Sequence, residues 1–437
     1  MRVVVYGLWH LGTVTAACLA DAGRDTVGLD SDHEVVDGLR AGRPPLLEPG
    51  LSELVSTGLA AGRLSFTTDP SAALAGADVL WVCHDTPIND EDEADVGFVL
   101  NRLQSISSDL GPGTVVLVSS QVPVGFTRAL GQRWSGRGLY FAYSPENLRL
   151  GRALEAFRRP ERVIVGVDTE AVKPILSTVF EPFCRNIIWM SLESAEMTKH
   201  AINAFLATSV TFINELARLC EVLGANAKEV EAGLKSEPRI GPRAYLAPGG
   251  AFAGGTLARD LRFLARFGAQ HAVATPLIDG VLASNESHKG WLRTTVEGLL
   301  AGRTGARVAL LGLTYRAGTS TLRRSGAAEL AAWLSARGVA VRAHDPGLIE
   351  AGVPAPDTVG LCENPREALQ GVDLAVLTTE WPEYRLLRAA DFTETMRHPT
   401  VVDPGWFLSG TLAAVPGLTY VAPGRPRSSA GSANPSS

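Results

Sequence analysis

The first fourteen residues constrain the fold more than any other stretch. Val3-Val4-Val5-Tyr6 has the pattern of a buried strand and runs straight into Gly7, and Leu11-Gly12-Thr13-Val14 opens a helix. A strand that stops at glycine and turns directly into a helix begins a βαβ unit, because glycine enters such a turn freely and a further glycine lets the helix approach the strand. The rhythm continues downstream. Short β-rich runs at 2–6, 25–29, 79–83, 114–118, 140–143, 162–166 and 186–189 are separated by helical patterns. Such alternation predicts a parallel sheet with helices on both faces.

The pattern changes at Ser191. Ala201, Phe205, Val210, Phe212, Leu216, Leu219 and Val222 recur at roughly helical spacing, and neither Pro nor Gly interrupts them before Gly224. A helix over 191–223 would be about 50 Å long and would connect two lobes. Further helices are expected at 227–234, 257–267 and 276–300. From Ala306 the alternation resumes, with strands at 308–311, 339–344, 374–378 and 400–402 and a helix at 327–336. The chain therefore reads as α/β. Two Rossmann-like, doubly wound parallel-sheet domains are joined by a central helical domain with a long connecting helix. The expected domains are 1–190, 191–300 and 301–424, followed by a disordered tail at 425–437 rich in Pro, Ser, Gly and Ala.

Composition narrows the class. A length of 437 residues suits several domains, and 46% hydrophobic with 20% charged residues suits an ordinary soluble protein. A net charge of −6 offers no basic field for nucleic acid. The five cysteines (Cys18, Cys83, Cys184, Cys220 and Cys362) form no CxxC and lie in apolar or mixed runs, as buried free thiols do. They suggest a reducing cytoplasm without disulfides. No signal peptide, membrane span or metal site is expected.

The glycine turn has its own chemistry. Dinucleotide folds use G-x-G-x-x-G, where the first glycine makes the turn, the second admits the pyrophosphate and the third packs helix on strand. Gly7 and Gly12 supply the first and third, and Trp9 stands at the second. Asp30 follows the next strand, 23 residues after Gly7. That spacing suits a carboxylate gripping the ribose hydroxyls of NAD, and it would repel the extra phosphate of NADP. The competing reading is a structural turn whose cofactor site is plugged by the Trp9 indole.

A set of further motifs resembles the UDP-glucose/GDP-mannose dehydrogenase family. Leu47-Glu48-Pro49-Gly50-Leu51 is similar to its E-P-G-L, Asp85-Thr86-Pro87 to its G-T-P and Ser120-Gln121-Val122-Pro123-Val124-Gly125 to its S-T-V-P-V-G. Ser144-Pro145-Glu146-Asn147-Leu148-Arg149-Leu150-Gly151 resembles S-P-E-F-L-R-E-G. Lys199-His200-Ala201-Ile202-Asn203 and Phe212-Ile213-Asn214-Glu215 resemble its central-helix signature, and Arg239-Ile240-Gly241 its R-I-G. The stretch from Pro248 to Asp260 resembles the loop that presents the family's nucleophilic cysteine before a Lys-Asp pair. Gly312-Leu313-Thr314-Tyr315-Arg316, Leu322-Arg323-Arg324-Ser325, His344-Asp345-Pro346 and Thr379-Glu380-Trp381 complete the ordered set.

The resemblance implies an N-terminal NAD domain, a helical dimerisation core and a C-terminal domain for the nucleotide of a UDP-, GDP- or TDP-hexose. It implies a homodimer as well. Gly7, Trp9, Leu11, Gly12, Asp30, Thr86, Gln121, Arg259 and Arg323 fall at cofactor positions. Glu146, Leu150, Arg239, Tyr245, Ala253 and Arg316 fall at substrate positions, and Lys199, Asn203, Thr256 and Asp260 at catalytic ones. Lys199 and Asn203, four apart on one helix, share a face and can together hydrogen-bond an alkoxide or carbonyl oxygen.

The family oxidises C6 of a nucleotide-bound hexose twice, through a cysteine thiohemiacetal and thioester. Here Thr256 stands at the cysteine, Arg259 at the lysine, and Leu150 at a glutamate that works on hydrolysis. Gln121 replaces a threonine, Asp85 a glycine, and Gly405 lies near where the family carries a substrate arginine. A threonine hydroxyl is no substitute for a thiolate near neutral pH. The expectation is an NAD-dependent nucleotide-sugar oxidation that lacks the thioester step. The alternatives are a non-catalytic binder of NAD or a nucleotide sugar, or another Lys/Asn-type hydroxyacid dehydrogenase relative.

Overall fold

Two sheets account for the β-rich runs. The computed structural model describes all residues except 47, 88–93, 147, 149–150, 253–255, 324 and 427–437. The chain divides into two compact units, Met1–Ile202 and Asn203–Ser437. The tail expected at 425–437 lies outside the described residues from 427 onward.

The first unit holds β1 (Arg2–Tyr6), β2 (Asp25–Leu29), β3 (Leu64–Thr67), β4 (Val79–Val82), β5 (Val115–Val118), β6 (Tyr140–Tyr143), β7 (Val163–Val167) and β8 (Ile187–Met190). They pair in the order β3-β2-β1-β4-β5-β6-β7-β8. Side chains alternate across a strand. Val3 and Val5 therefore enter the core on one face with Leu19, Trp81 and Val165, while Val4 and Tyr6 enter the other with Leu80, Val118 and Leu103. Burial on both faces explains why these strands read as unbroken apolar runs.

One pairing departs from the expected parallel sheet: β7 runs antiparallel to β6, with Tyr143 opposite Gly166. Among the described residues the only helix between them, Ala153–Arg158, has six residues and packs beside the first helix, His10–Asp21. It spans about 9 Å, too little to carry the chain back across the sheet, so the next strand enters from the same end.

The second unit holds β9 (Arg307–Leu311), β10 (Ala340–His344), β11 (Val359–Leu361), β12 (Leu374–Leu377), β13 (Thr400–Val402) and β14 (Thr419–Val421). Their order is β11-β10-β9-β12-β13-β14, with parallel pairing throughout. Val308 and Leu310 face one core cluster, and Ala309 and Leu311 the other. The helix Leu192–Leu223 begins in the first unit and ends in this one. Its Ala204 and Ala207 pack with Phe252, Ala258, Leu261 and Val281 from the loop before, and the bodies of, the helices Thr256–Gln270 and Pro276–Leu300. The strands missed by sequence reading, β3, β11 and β14, are all short edge strands. Among the described residues no helix is long and apolar enough to cross a membrane.

Candidate active site

The glycines of the first turn are required by contact. Gly7 has φ +95°, and a Cβ there would lie 2.6 Å from Nδ1 of His84. A Cβ on Gly12 would fall 1.8 Å from the Gly7 carbonyl oxygen. Trp9 precedes the first helical residue and is 44% exposed, so its indole is not packed into the core of the turn. The leading amides of a helix have no intrahelical acceptor and favour an anion. Asp30 stands beside them: its Oδ2 accepts the Leu8 N–H at 2.7 Å and its Oδ1 the Asp32 N–H at 3.1 Å.

The second unit repeats this device with a different outcome. Gly312 has φ +101°, a Cβ there would lie 2.4 Å from Cβ of Thr379, and the Leu313 N–H donates to Asp345 Oδ2 at 2.6 Å. That same oxygen also accepts from the Thr314 amide and hydroxyl, both at 2.8 Å, and from Trp381 Nε1 at 3.2 Å. Oδ1 takes the Leu348 N–H, and Asp345 is fully buried. A carboxylate so engaged and so enclosed offers no exposed oxygen to a ribose, whereas Asp30 is half-buried. The residues of the first turn therefore fit an NAD ribose and pyrophosphate, and those of the second do not.

Other positions in the first unit are gathered by the start of the long helix. Lys199 is 5% exposed; its Nζ donates to the Glu146 carbonyl oxygen at 2.5 Å and lies 3.3 Å from Glu146 Oε1. Glu196 accepts the Gly125 N–H at 2.6 Å and the Thr127 N–H at 2.9 Å, and His200 Nε2 lies 3.1 Å from the Val122 carbonyl oxygen. Burial raises the Glu196 carboxyl above its ordinary value, against the pull of those two amides. Thr86 donates its hydroxyl to the Gln121 carbonyl oxygen at 2.6 Å, which brings two expected cofactor residues together. A cavity of about 80 Å³ is lined by Leu11, Trp81, Ser119, Glu146 and Phe180 among others, so Leu11 and Glu146 share one space.

In the second unit Asn203 donates its side-chain amide to Asp260 Oδ2, and both residues are buried. Thr256 is exposed as the first residue of its helix. The glycine-rich loop before it is held by residues to which sequence reading gave no role. Asn214 accepts the Gly249 N–H at 2.9 Å and donates to the Gly250 carbonyl at 3.1 Å. Asn285 brackets Phe252 through its N–H (3.0 Å) and carbonyl (2.9 Å), and His288 Nε2 lies 2.8 Å from the Gly249 carbonyl. The available signal was a buried amide inside an apolar helical stripe, which must find a partner. Arg239 is exposed and pairs with Glu237 at 2.8 Å; Tyr245, Arg316 and Arg323 are also exposed. Arg259 is half-buried. Leu150 and Ala253 lie outside the described residues.

The thiols of this chain lie inside the fold. All five cysteines are buried and free. Burial pushes Cys18 up to about 12, and it raises Cys83 and Cys362 as well, which disfavours thiolate at each.

Two Rossmann-like sheets, one with an open ribose carboxylate, and a long helix carrying a buried lysine define the architecture of an NAD-dependent dehydrogenase. Residues 1–184 match the NAD binding domain of the UDP-glucose/GDP-mannose dehydrogenase family, residues 193–287 its central domain and residues 309–409 its UDP binding domain. The chain belongs to this family of NAD-dependent nucleotide-sugar oxidoreductases. It is 35% identical to the UDP-glucose 6-dehydrogenase of Pseudomonas aeruginosa, with 98% of each chain covered. It is 32% identical to that of Rhizobium meliloti, covering 98% of this chain and 100% of the other. The solved UDP-glucose dehydrogenase of Pyrobaculum islandicum superposes with a TM-score of 0.85 at 30% identity over 96% of each chain.

Proposed function

We propose that this protein oxidises the C6 hydroxyl of a UDP-hexose, with UDP-glucose the first candidate, to the aldehyde, and that it does not form a covalent acyl-enzyme. The observation that carries this reading is the buried Lys199 ammonium, tethered by Glu146, a residue that itself lines a cavity shared with Leu11. When bound, NAD supplies the hydride acceptor. Lys199 and Asn203, one turn apart on the long helix, stabilise the oxygen as its proton passes to solvent water. Asp260 orients the Asn203 amide. Thr256 hydrogen-bonds the sugar and forms no thioester. Asp30 takes the adenosine ribose, while Thr86, Gln121, Arg259 and Arg323 serve the rest of the cofactor. Glu146, Leu150, Arg239, Tyr245, Ala253 and Arg316 contact the nucleotide sugar. The functional division follows 1–190 for cofactor, 191–300 for the helical core and 301–424 for nucleotide, in a cytoplasmic enzyme.

NADH release per nucleotide sugar, with mass spectrometry of the trapped protein, tests this. One NADH per sugar and no acyl adduct is the expected result, and an aldehyde trap should capture the product. Two NADH with an adduct would contradict the two-electron reading. Binding of a UDP sugar with no NADH would leave a binding protein instead.

A homodimer is part of the same proposal. In the second unit the long helix exposes Phe205, Phe212 and Leu219 at heptad spacing, with Val222 and Leu223 78% and 77% exposed. A stripe of this kind calls for a partner surface, and a second copy supplies one. Sedimentation of the full chain should give twice the monomer mass; a monomer at micromolar concentration would remove this element.

A further inference from the structure

We propose that Glu48 is a positioning residue that couples the cofactor turn to the loop following Glu146, so that NAD binding and nucleotide-sugar binding are linked through one buried carboxylate. The inference rests on the functional reading above. Glu48 is 4% exposed and has three donors. Its Oε2 takes His10 Nε2 at 3.0 Å and the Gly151 N–H at 2.8 Å, and its Oε1 takes the Ala153 N–H at 2.8 Å.

Each donor lies at a meaningful place. His10 is the first residue of the helix whose leading amides face the proposed pyrophosphate. Gly151 and Ala153 follow Glu146 in the chain by five and seven residues, and Glu146 is proposed to meet the sugar. Glu146, at the start of this segment, is held separately, by Lys199. Gly50, two residues past Glu48, lies where an added Cβ would come within 3.5 Å of Leu154, so the turn after Glu48 also packs on this segment. A buried carboxylate cannot release one of three donors without leaving a buried polar group unmet. A shift of the helix start is therefore passed to Gly151 and Ala153 instead of being absorbed locally. Thermodynamic reciprocity then requires sugar binding to favour NAD by the same factor.

Hydrogen exchange of the Gly151 and Ala153 amides, with and without NAD, reads the coupling directly and needs no turnover. NAD is expected to slow exchange of both amides in the wild type. In His10→Phe and Glu48→Gln the slowing is lost while NAD still raises the melting temperature. In both variants KM for UDP-glucose at saturating NAD rises by about tenfold, within the usual range of coupling effects, and moves more than kcat does. A merely structural role would lower the melting temperature without splitting KM from kcat. NAD that raises the wild-type melting temperature but leaves the two amides unchanged overturns the coupling alone, as does slowing that persists in both variants. Absence of any NAD-induced shift overturns the cofactor reading together with it.

Discussion

Lys199→Met removes nearly all turnover: kcat/KM for the nucleotide sugar is expected to fall by about a thousandfold. The reasoning starts from burial. Lys199 is 5% exposed, and its ammonium is held by the carbonyl and carboxylate of Glu146. A donor fixed in a site sheltered from water needs no reorganisation as negative charge develops on an alkoxide, and deletion of one such donor typically costs 10²–10³ in kcat. Methionine keeps the stem volume, so packing along the long helix is retained. Arginine does not rescue, because its planar fork cannot occupy the place of a compact ammonium. The NAD-induced rise in melting temperature serves as the fold control, since a ligand that binds only the folded state stabilises it. A Lys199→Met enzyme within tenfold of wild type would sink the catalytic role.

The second large effect concerns stability and pH. His84 lies under the first glycine turn, edge-on to Tyr6 at 4.4 Å and to Phe98 at 5.8 Å, and its Nε2 has no hydrogen-bond partner among the described residues. Burial lowers its pKa from the ordinary 6.5 to about 4; the Asp30 charge opposes this shift and the Arg102 charge adds to it. The group is thus neutral in the folded chain where the unfolded chain would already be protonated. Between pH 6.5 and 4 the unfolded state binds more protons, so stability is full above 6.5 and is lost as pH falls through that window. The loss is about 3 kcal/mol. His84→Leu removes the titrating ring, so wild-type stability minus variant stability, followed by chemical denaturation, should fall by that amount on acidification from pH 6.5 to 4. Parallel pH curves for the two proteins would overturn the assignment.

Much of this architecture is legible locally. Gly7 and Gly12 are legible as a strand–turn–helix junction because each has a stereochemical job that few other residues can do, and the close approach of His84 to Gly7 and of Gly7 to Gly12 shows that demand. The long central helix is written in apolar spacing and in the absence of Pro and Gly. Edge strands β3, β11 and β14 are not legible in this way. Each has only three or four residues, too few to establish a period, and each is stabilised by the strand beside it. The reversed β7 is equally silent, because its direction depends on where the chain emerges after a short helix.

The residues that hold the site together were hidden for the same reason. Asn285 reaches Phe252 across 33 positions and Glu48 reaches Ala153 across 105, and neither spacing carries a local signature. By itself the sequence determined the class of fold, the glycine turn after the first strand and the placing of Lys199 and Asn203 one turn apart on one helix, since these depend on backbone conformation and on neighbours within one helical turn. Only the tertiary structure decided which of two like turns keeps an open carboxylate, that Lys199 is buried against Glu146, and that Glu48 bridges two segments. Those outcomes depend on desolvation and on partners distant in the chain, and a polar side chain acquires its energetic meaning only when its surroundings are known.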